Sequence, residues 1–159
     1  MIIIAELQYF NIRYVYGEDS PVQLKSKINS GPFKGIFTTK ARKDYYAQLE
    51  DDIKTVYKPN YRVLFFNVFP AGYLFSSMRP ATNSTWLVSP IFFPRGDRSA
   101  TIVYYYRQRI FPNIIVRIKN FPSSSPSIFY NDNVEDPIYK MLRKYKLLIN
   151  RQEYEIYEK

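Results

Sequence analysis

The chain has 159 residues, with 23 Lys+Arg against 14 Asp+Glu for a net charge of +9, and it contains neither cysteine nor histidine. These counts exclude disulfides, thiolate or imidazole metal sites, Cys or Ser–His nucleophiles and any histidine pH switch. A 46% apolar content predicts a globular protein, and the length predicts a single domain over 1–159, with an 18% share of aromatic residues that one small core does not normally absorb.

Residues 3–16 read as a strand with a phase change at Phe10, followed by a turn cluster at 17–21. Residues 22–29 predict a short helix ended by Gly31-Pro32, and 33–38 a short strand. Phe33-Lys34-Gly35-Ile36-Phe37 lacks the small residue and later aromatics of an RNA-recognition strand, so that module is excluded. Residues 41–57 form the clearest helix. Tyr45, Leu49, Ile53, Val56 and Tyr57 make one apolar stripe, Thr38 or Thr39 caps the start, Pro59 stops it, and Glu50 and Lys54 form an i,i+4 pair.

The middle of the chain reads as β structure. Residues 61–69, 85–93, 99–110 and 113–121 are rich in Val, Ile, Tyr and Phe and are punctuated by recurring Phe-Pro pairs. A second helix is predicted from Asp136 as N-cap and Pro137 at its first position, with Ile138, Met141, Leu142, Tyr145 and Leu148 as its buried stripe. Arg143, Lys144 and Lys146 suit the negative end of that helix, and Asn150 ends it. Residues 152–158 predict a last edge strand with Glu153 and Glu155 on its solvent side. The order argues for an α+β fold, a mainly antiparallel sheet with two principal helices packed on one face.

Residues 1–53 and 132–159 are each electrically neutral, whereas 54–131 hold ten basic residues against Asp97 alone. Uncompensated like charges raise the energy of a compact state, so this imbalance points to a polyanionic partner. If 99–110 and 113–121 pair as a hairpin with their Ile-rich faces inward, Tyr105, Arg107, Arg109, Arg117 and Lys119 share the outer face, and Tyr104 and Tyr106 go to the core. The turn bearing Arg95 and Arg98 extends that surface. Cations that neutralise phosphates beside rings that stack on bases describe a nucleic-acid platform, for DNA or RNA.

A catalytic alternative rests on Glu50, Asp52 and Lys54, a carboxylate group able to hold Mg²⁺ for phosphodiester hydrolysis, although neighbouring helix positions diverge by about 100°. No other metal or cofactor is implied. A third alternative is a virion or ribonucleoprotein assembly component, with surplus aromatics at homo-oligomeric or larger interfaces. No apolar run approaches the ~18–20 residues that span a bilayer, and the Met1–Ala5 opening lacks a basic n-region. The expectation is an intracellular or virus-encoded protein, not secreted and without a membrane partner.

Overall fold

The computed structural model describes residues 21–67, 69–82, 84–85, 97–122 and 137–159, with the side chains of Pro21 and residues 97–99 outside the description. The strands expected at 3–16 and 85–93, Arg95, and the Asp136 cap therefore lie outside the described residues. The fold class is α+β. The chain forms two compact units, Met1–Asp51 with Pro122–Ser127 and Asp52–Phe121 with Ile128–Lys159, called unit 1 and unit 2 below.

In unit 1, strands β1 (Ser26–Lys27) and β2 (Phe37–Thr38) pair antiparallel. Where a helix was expected at 22–29, the chain makes a 3₁₀ turn at Pro21–Gln23 and then β1. Helix α1 (Lys40–Val56) follows the expected bounds closely. Its N-cap is Thr39, whose hydroxyl accepts from the Arg42 amide at 3.3 Å, satisfying one of the helix's orphan donors. Tyr45 and Leu49 are buried on the unit 1 portion, and Ile53 and Val56 on the unit 2 portion, as the stripe predicts, but Tyr57 beyond the helix end is exposed. Arg42 is fully buried and donates from Nε to the Pro122 carbonyl at 2.7 Å.

Unit 2 is built on a five-stranded sheet in the order β4 (Arg79–Pro80), β3 (Arg62–Phe66), β5 (Ile114–Ile118), β7 (Tyr154–Glu158), β6 (Lys146–Asn150). β3 runs parallel to β4 and β5, and β7 runs antiparallel to both β5 and β6. The central strands read Arg-Val-Leu-Phe-Phe and Ile-Ile-Val-Arg-Ile, nearly unbroken apolar runs, because both faces are covered.

The largest departure from the sequence reading is at 99–110. That segment is not a strand: Asp97–Gln108 forms helix α2, the crossover that lets β3 and β5 lie parallel. Thr101 and Tyr105, four residues apart, are fully buried on its inner side, a helical period that the β-favouring Ile-Val-Tyr-Tyr-Tyr run conceals. Its C-terminal neighbour Arg109 has φ 51.

A short helix α3 (Pro137–Leu142) replaces the long one expected here; the chain turns at 143–145 and becomes β6, so Leu148 is part-exposed on a strand and Asn150 ends a strand. β7 is an interior strand and not an edge, since β6 covers its far side. Leu64, Phe66 and Ile115 of the sheet, Tyr105 of α2 and Ile138, Met141 and Leu142 of α3 form one buried cluster. Among the described residues no helix is long and apolar enough to cross a membrane.

Candidate nucleic-acid interface

With 99–110 helical, the expected basic hairpin does not form, and its residues separate. Tyr105 is fully buried and its hydroxyl donates to the Ala81 carbonyl. Burial drives its phenol far above the ordinary value. It is a core residue. Arg107 and Arg109 are exposed at the end of α2, and Arg98 falls in its first turn.

Arg117 on β5 and Lys119 just past its end meet a carboxylate of the C-terminal strand, Glu155. Arg117 stands directly opposite Glu155 in the β5–β7 register, with Nη1 2.6 Å from Oε2. Its Nε donates to the Tyr139 hydroxyl at 3.0 Å, and its guanidinium carbon lies 4.8 Å from that ring's centroid. Lys119 is 3.6 Å from Glu155 Oε1 and donates to Asn150 at 2.9 Å. Tyr157 donates to Glu155 at 2.7 Å, and burial followed by that carboxylate pushes its phenol up to about 12. Glu155 was expected on a solvent edge; it instead binds the sheet's own cations.

The carboxylates named as catalytic candidates fare similarly. Asp52 is buried and accepts a two-pronged contact from Arg151 at 2.9 and 3.0 Å, plus the Tyr154 hydroxyl at 2.7 Å. Arg151, opposed by burial, holds its carboxyl below the usual range. Glu50 is half-buried in unit 1, and Lys54 is exposed. Among the described residues, no three acidic side chains gather where a metal ion could sit.

A group whose folded pKa is depressed adds stability above its unfolded pKa, and that increment disappears as pH falls through the folded value. Asp52→Asn is therefore expected to melt below the parent at neutral pH, with the gap closing below about pH 4. Thermal melts at neutral and acid pH check this; a gap independent of pH would show that the charge on Asp52 contributes nothing.

What the structure brings together instead is a cleft in unit 2 of about 410 Å³. Ile102 and Tyr106 reach it from successive turns of α2, Phe111 from the segment before β5, and Met141 and Tyr145 from α3 and the turn after it. Lys140, Lys144 and Lys159 supply its cations. Tyr106 is 66% exposed, against the core place expected for it, and its ring meets Phe111 edge-on at 5.5 Å. The Lys159 ammonium lies 4.9 Å from the Phe111 centroid. Tyr145 is held as a fixed wall because its hydroxyl donates to the Pro112 carbonyl at 2.7 Å, and burial pushes that phenol up to about 12.

No family model, curated protein or solved structure matches this chain. The site's chemistry rests on its own geometry. Its volume falls in the range of small-ligand pockets, roughly 300–1,000 Å³, and combines a mostly apolar lining with cationic groups. Unit 2 also carries nearly all of the charge excess, sixteen basic residues against eight acidic for a net of +8.

Sequence reading missed Tyr106, Phe111, Lys140, Lys144, Tyr145 and Lys159. A signal for the first was present: at a helical period Ile102 and Tyr106 share a face. Arg109 holds a left-handed backbone conformation that glycine takes without strain. Arg109→Gly should raise stability by about 0.5–1 kcal/mol, the relieved strain outweighing the added freedom of the unfolded chain. A urea midpoint that falls would instead mean the Arg109 side chain makes stabilising contacts.

Proposed function

We propose that this chain is a nucleic-acid-binding protein whose unit 2 cleft takes an unpaired base while the lysines around it engage the flanking phosphates. The observation that carries this reading is the convergence of Tyr106, Phe111 and Tyr145 with Lys140, Lys144 and Lys159 on one cleft, in a unit of net charge +8. Rings offer a stacking surface to any base, and ammonium groups displace counterions from phosphates. A nuclease reading has less support, because Asp52 is engaged by Arg151 and Tyr154.

The test is a titration of labelled oligothymidine and of a duplex with the full chain, from about 50 to about 200 mM salt. The logarithm of the affinity should fall linearly with the logarithm of salt, by about 0.7 for each phosphate engaged on a single strand. The single strand should bind more tightly than the duplex. No binding at low salt, or an affinity indifferent to salt, overturns the reading; tighter binding to duplex removes the base from the cleft.

A further inference from the structure

Unit 1 carries a second feature with the same chemistry, unused by the cleft. From Ser20 to Lys43 the chain holds six cations and no acidic residue. Arg42 among them is buried, and the Glu50 carboxylate of α1 lies against the loop at Gly31, which leaves Lys25, Lys27 and Lys34 as the exposed charges of the hairpin itself. The β1–β2 hairpin lies within this stretch, and Lys27 stands opposite Phe37 in its register. Phe37 is 55% exposed, and the Lys27 ammonium lies 6.0 Å from its ring centroid. Lys25 and Lys34 are exposed on the same hairpin.

The loop that presents this ring is tied down. Ile28 and Ile36 continue the ladder through a 2.9 Å amide–carbonyl bond, and the Gly35 amide returns to the Ile28 carbonyl at 2.9 Å. Gly31 and Gly35 take φ of 72 and 96, backbone that side-chain-bearing residues rarely adopt. Thr38 and Ile28 are buried, and Phe33 packs on Tyr46 of α1 at 4.9 Å between centroids. An aromatic residue exposed on so constrained a hairpin loses little freedom on binding.

We propose that residues 25–37 form a second contact for single-stranded nucleic acid, with Phe37 stacking on an unpaired base and Lys25, Lys27 and Lys34 on the phosphates beside it. Charge complementarity selects an anionic occupant. An anionic lipid surface is the other candidate, but neighbouring positions of an extended strand point to opposite sides. Ile36 and Phe37 therefore do not form one wedge for insertion, whereas stacking needs a single ring beside a cation.

This inference rests on the nucleic-acid reading of the chain and is tested separately from it. In the full chain, Phe37→Ala should weaken oligothymidine binding about tenfold and leave duplex binding unchanged, while Phe37→Leu, which keeps the apolar bulk, should not restore the loss. Phe37→Trp should bind like the parent and show fluorescence quenching beyond that of the parent chain on adding oligothymidine. Because Phe37 is exposed, circular dichroism of these variants should match the parent. If the parent binds but Phe37→Ala binds equally well, this contact is refuted and the cleft stands. If the parent fails to bind any oligonucleotide, both fall. Binding to phosphatidylserine vesicles that Phe37→Ala abolishes, with oligonucleotide affinity unchanged, would assign the hairpin to a lipid surface and overturn the proposal.

Discussion

Adjacent tyrosines on α2 should give opposite phenotypes: Tyr105→Ala is expected to destabilise unit 2 by about 3–5 kcal/mol, and Tyr106→Ala by about 1 kcal/mol or less, for its edge-on contact with Phe111. Tyr105 is fully enclosed beside Phe111, whose ring centroid lies 5.8 Å away, and belongs to the cluster joining α2, α3 and the sheet. Truncating it leaves a cavity in a close-packed core and strips the Ala81 carbonyl of its donor. Tyr105→Phe separates the two effects: it keeps the ring and should cost only about 1–2 kcal/mol, for the unsatisfied carbonyl. Tyr106, 66% exposed on the cleft, should instead lower oligothymidine affinity about tenfold when truncated. Urea melts and binding titrations on the three variants read both quantities. If Tyr105→Ala folds as stably as the parent, the helical register of α2 is wrong, and with it the cleft.

That register was the part of the fold the sequence hid most effectively. Six β-branched or aromatic residues in a row satisfy strand propensity, while the helical spacing shows only in burial, with Thr101 and Tyr105 both enclosed and Tyr105 packed with Leu64, Phe66 and Ile115 of β3 and β5, which propensity does not see. The α1 stripe was legible at Tyr45, Leu49, Ile53 and Val56 because these recur with polar residues between them and because Thr39 and Pro59 mark the ends; Tyr57, counted with them, falls past the helix. β3 and β5 were legible as short apolar runs, but their parallel pairing followed only once the segment between them was a helix. Tyr145 and Leu148 continued a helical period past Leu142, and the break there depends on β7 offering a partner strand. The charge split put the surplus of cations in 54–131, yet the three lysines that line the cleft, Lys140, Lys144 and Lys159, come from the electrically neutral 132–159 segment, and charge counts carry no pairing information. Arg117 and Lys119 are answered by Glu155, which lies next to them only through the β5–β7 register.

Reversing two of the cleft's lysines should cut single-strand affinity far more than it alters stability. Lys144 and Lys159 are exposed, so Lys144→Glu with Lys159→Glu should shift folding free energy by less than about 1 kcal/mol, including the lost contact between Lys159 and the Phe111 ring. Counterion release sets the binding effect: each single-strand phosphate contact contributes roughly the inverse salt concentration to the power 0.7, about eightfold at ~50 mM salt. Losing two contacts should therefore lower affinity roughly sixtyfold there, with repulsion from the new carboxylates adding to the loss. The salt dependence should become shallower by about 1.4 in the log–log slope. A uniform loss of affinity with an unchanged slope would mean that these lysines touch no phosphate. The control is Lys58→Glu: that ammonium is 2.6 Å from Glu158, and its reversal removes one surface ion pair away from the lining of the cleft. Lys58→Glu changes the net charge by half as much as the cleft pair, so if it lowers the logarithm of the affinity by about half as much, attraction comes from the net charge of unit 2 and the cleft has no particular role; if only the cleft pair weakens binding, the phosphates pass beside Tyr106 and Phe111.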